Sequence, residues 1–116
     1  MNSFISSFLK SKSNIENLNS EDFENKLKEE KDSVLIDVRT QQEHYDARIP
    51  NSLLIDLMNP NFTHELEKLD KSKSYFLYCR SGNRSYYAAK EMVKLGFEKV
   101  YNLAPGIIGW NGKIER

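Results

Sequence analysis

The chain is 116 residues long, 39% hydrophobic and 29% charged, with 17 basic side chains set against 17 acidic ones. That length makes one domain with a core of its own, and a net charge of zero leaves no electrostatic footprint for nucleic acid or an anionic membrane. A single cysteine excludes an internal disulfide and fits a reducing compartment, and no stretch approaches the roughly 18 apolar residues of a membrane span.

Residues 1–13 mix Ser, Asn, Lys and Phe without a clear period and read as a flexible N-terminal arm, with one domain over 14–116. Serines interrupt MNSFISSFL, no positive charge precedes it and no small-residue cleavage site follows, so a cytoplasmic protein is expected. Asn14–Leu18 alternates polar and apolar residues like a short edge strand. Asn19 or Ser20 caps a helix with Glu21 and Asp22 in its first turn, Phe23 and Leu27 as its apolar stripe, and Lys31 and Asp32 at its end. Ser33–Asp37 is a short run of branched residues, typical of a strand buried on both faces.

Thr40–Glu43 is a capping box that opens a short helix, and a turn at Ile49–Ser52 leads into LLIDL, a third strand. Phe62, Leu66 and Leu69 give an amphipathic helix its stripe, and Ser74–Tyr78 is a fourth strand. RSYYAAKEMVKL is a strong helix, ended by Gly96 with Phe97 behind it in the pattern of a left-handed cap. Lys99–Leu103 is a fifth strand, and PGIIGW starts a last short helix. Strands and helices alternate throughout, which predicts an α/β domain, a mostly parallel sheet covered on both faces.

The chemistry concentrates in YCRSGNRS, Tyr78–Ser85. Cys79 falls just past the carboxyl end of a buried strand, where open α/β sheets bind ligands. The backbone N–H groups of the loop, free of the strand and not yet in the helix, form a cradle for an anion, and Gly82 supplies the freedom for a tight curl. Arg80 and Arg84 flank the thiol with positive charge, which biases it towards thiolate. A plain buried cysteine is the competing reading, but the next five residues are polar, charged or glycine. A tyrosine-type phosphatase loop has five residues between cysteine and arginine. Here Arg80, Ser81, Gly82 and Asn83 make four, tight for phosphate and roomy enough for one extra sulfur on Cys79.

LIDVRTQQEH, RIPNSLLIDL, YCRSGNRSYYAAKEMVKLGFEKVYNL and PGIIGW, taken in order from about Asn14 to Trp110, resemble a single-domain rhodanese, a sulfurtransferase. The resemblance implies a rhodanese-like three-layer domain with a five-stranded sheet flanked by helices on both faces. It implies that Cys79 takes sulfane sulfur from a small anionic donor, carries it as a persulfide and passes it to a thiol or protein acceptor. By the same likeness Arg80, Ser81, Gly82, Asn83 and Arg84 bind the donor and the persulfide, in a two-arginine loop of the thiosulfate-using type. Asp37, Arg39 and Ser85 are supports: Asp37 is expected to accept from the loop, and Arg39 to pair with an acid such as Glu43.

Two departures stand out. Ala47-Arg48-Ile49-Pro50 replaces the usual Gly-His-Ile-Pro, with Arg48 expected in solvent. Ala104-Pro105-Gly106 replaces Glu-Gly-Gly, and the proline alters the pocket wall. His44, His64 and Cys79 share no metal-ligand spacing, so no metal or other cofactor is expected. Tyr75, Phe76, Tyr78, Tyr86 and Tyr87 read as core and pocket wall, and Trp110 as a packing anchor. The alternative function is a non-catalytic rhodanese-like module for protein binding or for sulfur and redox sensing, disfavoured because the cysteine and both loop arginines are present.

Overall fold

The computed structural model describes residues 15–116. The arm expected over 1–13, and Asn14 at the head of the first strand, lie outside them. The described elements run β1 Ile15–Leu18, α1 Ser20–Glu29, β2 Ser33–Asp37, α2 Gln41–Asp46, β3 Leu53–Leu54, α3 Phe62–Glu67, β4 Ser74–Tyr78, α4 Asn83–Lys94 and β5 Lys99–Leu103, followed by a 3-10 turn at Ile107–Gly109. The strands form one sheet in the order β1-β5-β4-β2-β3, and every pairing is parallel.

The alternation along β4 divides the core in two. Tyr75, Leu77 and Cys79 face one side, packed with Phe62 and Leu66 of α3 and with Ala88, Ala89 and Met92 of α4. Phe76 and Tyr78 face the other, with Phe23 of α1, Leu103 and the half-buried Trp110. Phe76 stacks on Tyr101 with centroids 4.5 Å apart, and Phe23 meets Phe76 and Trp110 edge-on. Burial of rings of this size dominates a core this small. The sheet is therefore covered on both faces, as three layers require.

Local signals set the ends of the elements. Asn19 caps α1 through Asp22 N–H at 2.8 Å. Thr40 and Glu43 close both halves of the capping box on α2. Gly96, at φ +101°, stops α4, with Phe97 N–H returning to the Met92 carbonyl at 3.1 Å.

Three expectations need correction. α1 ends at Glu29, and Asp32 turns the chain at φ +58°. LLIDL yields only Leu53–Leu54 as strand, because it lies on the sheet edge and Asp56 pulls the chain into a turn by accepting from Met58 N–H. The last helix is a single 3-10 turn, because Gly106 enters it at φ +71° and Trp110 leaves it extended. Among the described residues no helix is long and apolar enough to cross a membrane.

Candidate active site

β4 is the middle strand, and Cys79 follows its last residue, so the thiol stands at the carboxyl edge of the sheet centre. α4 begins at Asn83, and the chain must turn within Arg80–Gly82. Gly82 allows this at φ +95°, where an L side chain is strained and a Cβ would overlap the carbonyl oxygen of Ala104. A Cβ on Gly106 would overlap the Arg80 carbonyl in the same way. The turn after β5 thus lies directly on the cysteine loop. Ile107 and Ile108 N–H donate to the Cys79 and Arg80 carbonyls at 2.9 and 3.2 Å. Pro105 sits within the tight turn that Gly106 N–H closes on Leu103 O, where its missing donor leaves the brace intact.

Cys79 is buried, at 1% exposure, but its sulfur is not a passive core atom. Gly82 N–H donates to Sγ at 3.1 Å, and the Ser85 N–H and hydroxyl each reach it at 3.4 Å. These donors belong to the start of α4, the positive end of its dipole. Burial alone pushes the thiol up. The Ser85 hydroxyl and N–H, with the Ser81 and Gly82 N–H groups, outweigh it and leave the thiol below its ordinary value. Hydrogen bonds, rather than the flanking arginines expected from sequence, thus do most to favour the thiolate.

The arginines have separate fates. Arg80 is exposed, as are Ser81 and Asn83, and it makes no ion pair among the described residues. Arg84 grips Glu43 of α2 with two parallel bonds, Nη1 to Oε1 at 2.8 Å and Nη2 to Oε2 at 3.0 Å. Those bonds, helped by the Thr40 N–H and hydroxyl, bring Glu43 down to about 2 against the pull of burial. Only Arg80 of the two loop arginines is left unengaged.

Asp37 and Arg39 are corrected too. Glu43 is already taken by Thr40 and Arg84, so Arg39 instead forms a buried pair with Asp37, two residues back along the extended chain. Nη2 meets Oδ2 at 2.8 Å and Nε meets Oδ1 at 2.9 Å. Arg39 also donates to the Ala47 carbonyl at 2.6 Å. Asp37 accepts nothing from the cysteine loop. Its other partners are His44 Nδ1 at 2.9 Å and the Tyr78 hydroxyl at 3.0 Å. Tyr78 in turn receives Ile49 N–H at 3.1 Å and lies 2.9 Å from Ser52 Oγ. Burial, with the Asp37 charge adding to it, pushes that hydroxyl up to about 12, so it stays protonated as a donor. The network fixes the strand end that carries Cys79 without touching the sulfur.

Arg48, expected in solvent, is half-buried and ties the chain terminus down, pairing with Glu115 at 3.2 Å and donating to the His44 carbonyl. Tyr75, Phe76 and Tyr78 are core, whereas Tyr86 and Tyr87 are exposed. These last two line a groove of about 590 Å³ with Asn17, Gly82, Asn83, Lys90, Asn102 and Ala104, on the flank of the loop. The sequence reading missed Ser52 and Asn102 entirely. It read Glu43 as a cap and as a partner for Arg39, with no sign of its partner Arg84, 41 residues away.

Comparison with known proteins agrees with this architecture. The family model described as Rhodanese-like domain matches residues 19–113. The Bacillus subtilis protein YrkF is 36% identical over 107 residues, which is 89% of this chain; the chain spans only 55% of that relative. The thiosulfate sulfurtransferase GlpE of Coxiella burnetii is 33% identical over 84 residues, 72% of this chain and 77% of that one. A crystal structure of a rhodanese-like domain protein from Staphylococcus aureus superposes with a TM-score of 0.73 at 28% identity, over 86% of this chain and 96% of the other.

Proposed function

The chain belongs to the rhodanese-like domain family, and on that premise we propose that it is a sulfurtransferase that carries sulfane sulfur on Cys79. The observation that carries the reading is the sulfur itself, a thiol at the carboxyl edge of the central strand that collects three hydrogen bonds from the first turn of α4. The name of the Coxiella burnetii relative supports a thiosulfate-like donor.

The reaction is a double displacement. The Cys79 thiolate attacks the outer sulfur of thiosulfate, a Cys79 S–S bond forms, the donor S–S bond breaks, and sulfite leaves with the electron pair. The product is the anion Cys79–S–S⁻. An acceptor nucleophile, a thiolate or cyanide, then takes the terminal sulfur and returns the Cys79 thiolate. Each anionic species needs donors that are in place before the reaction, and N–H groups fixed by the turn of Arg80–Gly82 and by the brace from Ile107 and Ile108 meet that need. Arg80 supplies the exposed charge that greets the donor, and Arg84 holds the loop to α2 through Glu43.

The test is intact-protein mass after incubation with thiosulfate, for the native chain and for Cys79→Ser. A gain of about 32 Da, one sulfur, that cyanide removes and that the variant lacks is expected. A folded native protein that gains no sulfur from thiosulfate or from any persulfide donor would overturn the enzyme reading in favour of a binding or sensing module.

A further inference from the structure

Asn102 lies on β5 at the level of Leu77, beside the strand that carries the thiol, and is 2% exposed. Its Nδ2 donates to Asn17 Oδ1 at 2.9 Å and to the Gly82 carbonyl at 3.3 Å. Its Oδ1 is buried and has no partner. Turning the amide over would set Oδ1 against the Gly82 carbonyl, acceptor to acceptor, so the orientation is fixed by its neighbours. An unpaired buried acceptor costs stability. A leucine of similar shape would avoid that cost and would lose the bonds to Asn17 Oδ1 and to the Gly82 carbonyl.

The contact to Gly82 bears on the thiol through Ser85. The Ser85 hydroxyl has one proton and two acceptors within reach, Cys79 Sγ at 3.4 Å and the Gly82 carbonyl at 3.3 Å. Left free, the carbonyl is a stronger acceptor than the neutral thiol, whose sulfur accepts weakly. But a carbonyl oxygen has two lone pairs. One receives the helical N–H of Tyr86 at 3.2 Å, and Asn102 Nδ2 occupies the other. The hydroxyl proton is then left for the sulfur.

We propose that Asn102 is a positioning residue for Cys79: by filling the Gly82 carbonyl it turns the Ser85 hydroxyl onto Sγ. The inference rests on the proposed use of Cys79, though its readout requires no sulfur transfer. Of the charged side chains around the sulfur, Arg84 of α4 reaches Cys79 with its field and is paired with Glu43 of α2. Arg80 of the loop is exposed, and Asp37 of β2 is paired with Arg39. The stretch of β5 and the following turn that packs on the loop, Asn102 to Gly106, is uncharged, as is Asn17 of β1.

The experiment titrates the thiolate by its ultraviolet absorbance in the native chain, in Asn102→Leu, in Ser85→Ala and in the double variant, with Cys79→Ser as the blank. Each single variant is expected to raise the midpoint by about half to one pH unit, a roughly threefold to tenfold loss of thiolate below it. The double variant should go no further than either alone. The midpoint is the readout that a merely structural role of Asn102 would not move, and a cooperative melting transition shows that Asn102→Leu folds. If leucine does not fold, Asn102→Ala is judged by the same midpoints. An unchanged midpoint in the Asn102 variant, or shifts that add fully in the double variant, would overturn the proposal. A raised midpoint in a chain that never loads sulfur would sink the proposed function and leave the role of Asn102 standing.

Discussion

Replacing Glu43 by glutamine keeps the size of the side chain and an oxygen to close the capping box with Thr40, and removes the charge that Arg84 grips together with one of its two acceptors. Glu43 is held at about 2 against an ordinary 4.5. That difference converts to about 3 kcal/mol of stability at neutral pH as an upper bound. The Glu43 and Arg84 side chains are 29% and 32% exposed, so water screens part of it and about 1–2 kcal/mol is expected to remain. The sign follows from a depressed carboxylate. The stabilisation is complete above the unfolded value near 4.5, declines as pH falls, and is gone below about 2. Urea unfolding of the native and E43Q proteins at pH 7 and at pH 3 measures it. The difference at pH 3 should be at most about two-fifths of that at pH 7, the fraction that the full shift to about 2 would give. A variant as stable as the native protein at pH 7, or a deficit equally large at pH 3, would refute the assignment of Glu43 as the counter-ion of Arg84.

Arg80 is exposed and unpaired among the described residues, so Arg80→Ala should change stability by no more than about 0.5 kcal/mol. Under the proposed function it should raise the KM for thiosulfate about tenfold, the worth of one charge-assisted contact, with little change in kcat. Steady-state thiocyanate formation reads both, and an unchanged KM would remove Arg80 from the donor site. Gly82→Ala adds a Cβ in a left-handed position against the backbone of Ala104. It should cost on the order of 2 kcal/mol or more in chemical denaturation. A variant as stable as the native chain would mean that the turn after β5 does not press on the cysteine loop.

The parts of the fold that were legible in the sequence are those decided by neighbours along the chain. Ser33–Asp37, Ser74–Tyr78 and Lys99–Leu103 fall where their runs of branched and aromatic residues place them, and the Thr40–Glu43 box and the Gly96 cap are four-residue and two-residue signals. β3 was half legible, because an edge strand is held from one side only and Asp56 can pull it away. The last helix was misread because apolar spacing says nothing about the left-handed entry at Gly106.

The site divides along the same line. Cys79 and its loop lie within one short stretch, so their chemistry can be read from the stretch. Their partners come from the register of the sheet. Pairing β2 with β4 in parallel sets Asp37 level with Tyr78, so the elements that follow both strands, α2 and α4, open on the same edge with Glu43 opposite Arg84. Pairing β4 with β5 sets Asn102 level with Leu77, within reach of Gly82. A count of arginines around a cysteine therefore gives the charge of a loop, whereas the charge a substrate meets depends on which arginine the neighbouring helix has already taken. The thiolate here depends less on that count than on backbone N–H groups and a serine hydroxyl, whose aim is fixed by glycines and by an amide on the next strand.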